Sequence, residues 1–466
     1  MRIHFLGAAG NVTGSRYWLD APDCQFLVDC GLVQERALQA RNWDPFPVPP
    51  ASLHTVLLTH AHLDHCGYLP RLVRDGFKGR IVCTAPTAEI ARLVLLDSAR
   101  LQTEDAAFKR KRHIREGRRG PYPEEPLYRV EDVEATLSRF QTVEYRRPVP
   151  VGRGVEATFF DAGHILGSAL IRLDCARKDR PRRLLFSGDI GRQNRPLLED
   201  PELAPTAEYI QIESTYGDRL HDDTMPIPER LAEVMGAAYR QGGVVLMPSF
   251  AVERAQEILY HLRELFETGA IPRMKVFLDS PMATGVTGVY RRHVDLLDDA
   301  ARALFREGRS PFDFPELHYI ETADESKALN LLREPAIIIA GSGMCTGGRI
   351  KHHLLNHIGK PTTTVLFVGY QSAGTLGRII QGGAPEVRIH GQMCPVRARI
   401  ETVHGFSGHA DRGELLHWIA GLPQAPRGIF VTHGEPESAE SFAQYLRQET
   451  GWPVTVPAYG DVIELD

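Results

Sequence analysis

No apolar run in this 466-residue sequence approaches the roughly 18 residues of a membrane-crossing helix, so no membrane association is expected. Its opening residues, MRIHFLGAAG, lack the basic region, long apolar core and cleavage site of a secretory signal. Cysteine is scarce: seven, at positions 24, 30, 66, 83, 175, 345 and 394, with no close pair and no CxxC. That spacing argues against a disulfide framework or a cysteine zinc knuckle and points to reduced thiols in the cytoplasm. There is no excess of positive charge either. The formal net charge is −5, so affinity for nucleic acid has to come from local patches. Two nucleotide motifs are missing as well. No Rossmann GxGxxG is found, and the nearest approach to a P-loop, Gly343 to Gly348, is followed by Arg349-Ile350 where Lys and Ser/Thr are required.

What is present is ordinary for a globular protein. With 43% hydrophobic and 24% charged residues the chain is too apolar for wholesale disorder, and its length accommodates two domains or three. Residues 2–6, 16–19, 25–28 and 55–58 read as short strands, residues 86–104 as a helix, and 155–160, 169–173 and 184–186 as further strands. From about residue 215 the grammar becomes strand, glycine loop, helix. Strands are expected at 244–247, 275–278, 336–339 and 365–368, each followed by a helix start, which predicts a parallel sheet with helices on both faces. A strand pattern resumes at 396–403, followed by helix 414–420, strand 429–431 and helix 438–446. The central α/β segment therefore looks inserted into an outer αβ sandwich, with expected boundaries 1–214, 215–395 and 396–466.

The densest chemical signal is Thr59-His60-Ala61-His62-Leu63-Asp64-His65, directly after an apolar strand. Four metal-ligating side chains within six residues at a strand end form a metal constellation rather than a solvated polar loop. His60 and His62 point the same way if the backbone stays extended, while Asp64 and His65 turn toward a neighbouring point, so one stretch can serve two cations. Three more strand ends carry ligand types: His164 in FFDAGH, Asp189 in FSGD and His433 in FVTHG. Small residues beside each let the backbone crowd round a metal. His4, His54, His352, His353, His357 and His404 have no such context and read as structural or surface.

Asp29 in FLVDCG, the HAHLDH motif, His164 and Asp189 resemble, in order, the motifs of the metallo-β-lactamase superfamily. Glu213 in ESTYG, His409 in FSGHAD and His433 resemble the three extra motifs of its β-CASP branch, which acts on nucleic acids. The resemblance spans nearly the whole chain. It implies an α/β fold: an αββα metallo-β-lactamase sandwich with an inserted β-CASP domain of parallel sheet and flanking helices. It also implies that His60, His62 and His164 hold one zinc, that Asp64, His65 and His433 hold the other, and that Asp189 bridges them. Such a pair, roughly 3.5–4 Å apart, activates a shared water and clamps the oxygens of an in-line phosphoryl displacement. Asp29 is implied to orient ligand histidines without touching metal, and His409 to be the general acid, oriented by Glu213. In this branch the third extra motif is histidine in RNA-processing members, so single-stranded RNA is the implied substrate, cut as an endonuclease, a 5′-exonuclease or both.

Three loops of the inserted domain are candidates for phosphate or 2′-OH contact, because each leaves a strand and enters a helix N-terminus. They contribute Ser249, Phe250 and Arg254; Gly347 and Arg349; and Gln371 and Thr375. Glycines serving only tight turns are the plainer account of each. The basic run Lys109-Arg110-Lys111-Arg112-His113-Ile114-Arg115-Glu116-Gly117-Arg118-Arg119 is either solvated surface or a mobile arm drawing in a polyanion. Two other readings stay in view: a small-molecule hydrolase of the same fold, which needs no large insertion, and a non-catalytic RNA-binding subunit, which would have lost ligands. A homodimer is the candidate assembly. The sequence starts at its first strand and ends soon after His433, leaving no room for an added RNA-binding module, so modest sequence selectivity is expected.

Overall fold

Apolar residues alternate along the first strands: Ile3 and Phe5 in Arg2–Gly7, Tyr17 and Leu19 in Arg16–Ala21, Phe26 and Val28 in Cys24–Val28. A period of two buries one face of a sheet. The structure, a computed structural model, describes residues 1–21, 24–176, 182–221, 225–372 and 374–465. Ala373, within the third glycine loop, lies outside the described residues. Two compact units emerge: residues 1–194, 200–220 and 409–466, and residues 195–199 with 221–408.

The first unit is built on two seven-stranded sheets. One runs in the order Val462–Glu464, Arg2–Gly7, Arg16–Ala21, Cys24–Val28, Thr55–Leu57, Arg80–Thr84, Phe140–Val143. The other runs Val454–Thr455, Gly428–Val431, Tyr209–Ile212, Arg182–Phe186, Ala169–Cys175, Val155–Asp161, Val149–Gly152. Phe5, Tyr17, Phe26 and Val28 of the first pack with Phe159, Ile171, Phe186 and Phe430 of the second in one core. Helices Arg412–Ala420 and Pro436–Thr450 bury Leu415, Trp418, Phe442 and Leu446 against the outer face of the second sheet. The long helix Ala85–Glu116 packs on Arg80–Thr84 and Phe140–Val143 of the first. This is the expected αββα sandwich.

Strand direction positions the site. Arg182–Phe186, Tyr209–Ile212 and Gly428–Val431 are parallel neighbours, as are Cys24–Val28, Thr55–Leu57 and Arg80–Thr84. Parallel strands deliver the loops at their C-terminal ends to a common edge. Val155–Asp161 is two antiparallel steps from Arg182–Phe186 and therefore ends on that edge too.

The second unit carries six parallel strands in the order Leu317–Tyr319, Lys275–Asp279, Ala336–Gly341, Val244–Ser249, Thr364–Phe367, Arg399–Thr402. Val244–Ser249 is buried along its whole length, as a strand covered on both faces must be. Arg399–Thr402 is the sixth strand of this sheet, hydrogen-bonded to Thr364–Phe367, although its pattern alone groups it with the segment that follows. The basic run also departs from expectation. It is no loose arm, because residues 109–116 complete the helix Ala85–Glu116, and Lys and Arg are good helix formers. All seven cysteines are free thiols. Among the described residues, no helix is long and apolar enough to cross a membrane.

Candidate metal centre

The HAHLDH segment leaves Thr55–Leu57 extended and then winds into the short helix Leu63–Cys66, with His62 at its N-cap. Backbone bonds fix that helix against the loop after Cys24–Val28: Cys30 N–H donates to His65 O at 2.8 Å and Leu32 N–H to Leu63 O at 2.9 Å. The approach is so close that a Cβ at Gly31 would fall 1.6 Å from the Asp64 carbonyl oxygen. On the opposite side, Gly188 (φ 53°) brings the Asp189 loop against Thr59, where a Cβ would meet the Thr59 side chain at 2.9 Å. Asp29 (φ 58°) and His433 (φ 53°) hold left-handed backbone, which is costly for a side-chain-bearing residue and collects at functional sites.

Two nitrogen-rich clusters result. In one, His62 Nδ1 lies 3.1 Å from His60 Nε2 and 3.2 Å from His164 Nε2, with Asp189 Oδ2 at 3.4 Å from His60 and 3.6 Å from His164. In the other, His65 Nε2 and His433 Nε2 are 3.1 Å apart, Asp64 Oδ2 is 3.5 Å from His433 Nε2, and Asp189 Oδ1 is 3.3 Å from His65 Nε2. Asp189 thus presents one oxygen to each cluster. All of these residues are buried except His62 and Asp64, which are partly exposed.

The surrounding bonds set the tautomers. Asp29 accepts Thr59 N–H at 2.8 Å, the Thr59 hydroxyl, and His65 Nδ1–H at 2.7 Å. The Thr59 oxygen in turn accepts His60 Nδ1–H at 3.1 Å. Thr215 Oγ1 accepts His433 Nδ1–H at 3.0 Å and donates to His433 O. The Nε2 lone pairs of His60, His65 and His433 are therefore turned into the clusters. Neighbouring lone pairs at 3.1 Å repel unless something positive lies between them. A single proton bridges one pair, whereas a cation satisfies all three nitrogens of the first cluster. The buried Asp189 Oδ1 has no hydrogen-bond partner among the described residues, as suits an oxygen that ligates a cation. The residues present therefore fit a bound cation in each cluster. Thr59 and Thr215, which orient these imidazoles, are not singled out by the sequence. Their only signal is adjacency to His60 and Glu213.

Protonation is polarised across the clusters. Burial and the neighbouring His65 hold His60 well below the usual imidazole range, and burial lowers His62 to about 4. Burial also opposes charge on His65, but Asp189 and Asp29 outweigh it and raise that imidazole well above normal. Asp189, though buried, is held well below the carboxylate range by His433, His65 and His60.

Glu213 follows Tyr209–Ile212 and is fully buried. One oxygen accepts Ile190 N–H at 2.7 Å, and both lie 3.2 Å from His409 Nδ1. The His409 ring is 22% exposed and 3.9 Å from Asp189 Oδ2. Burial pushes its pKa down, but Glu213, Asp189 and Asp64 more than compensate and raise it to about 9. A charged imidazole with one solvent-reaching side, beside the two clusters, can deliver a proton.

In the second unit, the three glycine loops gather at the C-terminal edge of the parallel sheet. Gln371 Nε2 donates to Gly343 O at 3.0 Å, and a Cβ at Gly343 would meet the Phe250 ring at 2.8 Å. Several of the expected contact residues are turned inward. Ser249 is buried and donates to Phe250 O, and Gln371 is 2% exposed. Arg254 pairs with Glu257 at 2.6 Å, and Arg349 binds Asp279 Oδ1 and the carbonyls of Ile320 and Glu321. Thr375 and Gly347 are the N-caps of Leu376–Gln381 and Gly348–His357. Phe250 is 45% exposed.

Comparison with known proteins places this geometry. Residues 10–233 match the family model of the metallo-beta-lactamase superfamily, residues 255–380 that of the Beta-Casp domain, and residues 393–457 that of the Zn-dependent metallo-hydrolase RNA specificity domain. The chain is 38% identical over 462 residues to a Thermus thermophilus protein named Ribonuclease TTHA0252, covering 99% of each. It belongs to the β-CASP branch of the metallo-β-lactamase superfamily. Membership of this metallo-hydrolase branch implies binding of divalent metal, for which the two clusters are candidate ligand sets. A second relative, named Transcription termination factor FttA, from Methanocaldococcus jannaschii, is 32% identical over all of this chain and 72% of its own length. A solved protein of unknown function from Enterococcus faecalis shares the fold at 12% identity, with a TM-score of 0.55 over 100% of this chain and 99% of its own.

Proposed function

We propose that the chain is a metal-dependent ribonuclease that hydrolyses phosphodiester bonds of single-stranded RNA, with two zinc ions per chain. One observation carries the reading: the Glu213–His409 pair stands beside a His/Asp constellation whose nitrogens and oxygens face one another. His60, His62 and His164 would hold one ion and Asp64, His65 and His433 the other, with Asp189 contributing a carboxylate oxygen to each cluster. Bound cations of this kind acidify water and offset charge that builds on the phosphate.

The remaining work falls to the chain's own groups. Asp29, Thr59 and Thr215 keep the ligating imidazoles in the tautomer with Nε2 available. Glu213 holds His409 by Nδ1–H and keeps the ring charged, so its Nε2–H protonates the leaving ribose oxygen as the P–O bond breaks. The incoming water oxygen stays on phosphorus. The end-to-end likeness to a protein named ribonuclease supports RNA as the substrate. On the glycine loops of the second unit, Phe250 and Tyr370 are exposed enough to stack on a base.

The test uses single-stranded RNA and DNA of one sequence, labelled separately at each end, in matched salt and zinc. RNA should be cut much faster, with product sizes reporting endonucleolytic or 5′-exonucleolytic action. Equal or faster cleavage of DNA refutes the substrate, and cleavage by Asp189→Asn at the wild-type rate refutes the site.

A further inference from the structure

Helix Ala85–Glu116 has 32 residues, about 48 Å of length at the usual rise, far more than its packing requires. Its start is tied to the metal centre: the hydroxyls of Thr84 and Thr87 both donate to Gly167 O, three residues beyond His164. Up to Ala99 the helix is well buried. Beyond that, only Ala106 and His113, seven residues apart and hence on one face, are buried. Residues 118–128 fold back to support that face. His113 pairs with Glu124, Arg110 donates to Glu124 O at 2.7 Å, and Tyr128 OH donates to Ser98 at 2.8 Å. The opposite face is left to solvent, and it carries Leu101 (53% exposed), Phe108 (64% exposed), Lys111 and Arg115.

Within the basic run, Lys109 pairs with Asp105, and Arg112 and Arg118 reach Glu116. Among the described residues Lys111, Arg115 and the exposed Arg119 make no ion pair. The helix macrodipole favours cations in the last turn, but it gives no reason for a bare phenylalanine two turns earlier. We propose that this outer half of the helix is an RNA platform: Lys111 and Arg115 meet phosphates while Phe108 stacks on a base. Charge complementarity selects the occupant, a polyanion on a protein whose net charge is −5. The pattern favours RNA over a lipid surface, because cations and the aromatic ring share one face. A bilayer-binding helix segregates them onto opposite faces. The platform lies roughly 30–45 Å along the helix from the loop that carries His164, so it grips long substrates and not short ones.

The proposal rests on the chain's being an RNA nuclease. Its test measures binding of a tetranucleotide and of an RNA of about 40 nucleotides across salt concentrations, in a zinc-loaded His409→Ala background so that the RNA stays intact. Without platform changes the long RNA should bind more tightly, with a steep salt dependence. Lys111→Gln and Arg115→Gln together should flatten the slope of log Kd against log salt by about 1.4, at roughly 0.7 per phosphate contact on a single strand. Phe108→Ala should weaken long-RNA binding roughly 5- to 100-fold with the slope retained. An unchanged slope in the double variant together with wild-type affinity for Phe108→Ala overturns the proposal, and so does tighter binding to phosphatidylserine vesicles than to the RNA. A parent chain that fails to cut RNA, while the variants still alter binding as expected, removes the nuclease reading and leaves the platform standing.

Discussion

Glu213→Gln separates the charge of this residue from its shape. The substitution keeps the side-chain volume and an oxygen for Ile190 N–H, yet removes the negative charge 3.2 Å from His409 Nδ1. Burial lowers the His409 pKa while Glu213, Asp189 and Asp64 raise it to about 9. An opposite charge at this range is worth about 1–3 pH units, so its loss lets burial pull the imidazole down by that much. A general acid works only while protonated, so the alkaline limb of kcat should move to lower pH by the same interval. For a fall from about 9 to about 7, the protonated fraction at a pH of about 8 drops from roughly nine-tenths to one-tenth, making kcat about tenfold lower. At a pH of about 6 both proteins are almost fully protonated and the rates should converge. Single-turnover cleavage of end-labelled RNA across pH, with a zinc assay on each sample, reads this out. Equal slowing at every pH, with the limb unmoved, would mean that Glu213 acts only by packing. A loss of zinc would make it a ligand. Either result refutes the assignment.

Other expectations follow from the same geometry. His409→Ala should slow cleavage by roughly 10²–10⁴-fold with zinc content retained, and loss of zinc would show that His409 binds metal. Metal analysis should return about two zinc ions per chain, falling in Asp189→Asn because one carboxylate faces both clusters. A reproducible value near zero after zinc supplementation, with activity intact, would dismiss the centre. Arg349→Ala should destabilise the second unit by about 1.5–3 kcal/mol in thermal or denaturant unfolding, since it strips a charged hydrogen bond from buried Asp279. Unchanged stability with weakened RNA binding would return Arg349 to the substrate.

Much of the centre was legible in the sequence because ligand-type residues are rare and cluster at strand ends. HAHLDH announces itself, and His164, Asp189 and His433 each follow an apolar run with a small neighbour. Hydroxyl partners carry no such signal: Thr59 and Thr215 look like any threonine until their imidazoles are placed beside them. Strand Tyr209–Ile212 escaped notice because its third residue, Gln211, is a buried amide that donates to Thr432 Oγ1 at 2.8 Å and interrupts the apolar run. Arginines in glycine loops look alike whether they face a substrate or the core, which is why Arg254 and Arg349 could not be told from phosphate ligands. Strand Arg399–Thr402 has an unambiguous pattern, but its partner Thr364–Phe367 is a matter of topology.

The centre draws on strands far apart along the chain, and this has a consequence for biosynthesis. His60, His62, His164 and Asp189 have all left the ribosome well before the second unit is made. His433 follows Asp189 by 244 residues, roughly 12–50 s at ordinary elongation rates. Only then can Gly428–Val431 take its place beside Tyr209–Ile212, a pairing of very long sequence separation and slow by nature. A nascent chain therefore carries the second cluster without His433 throughout that interval. Under the proposed zinc assignment, a cell that limits zinc during that interval should accumulate chains filled in the first cluster and empty in the second.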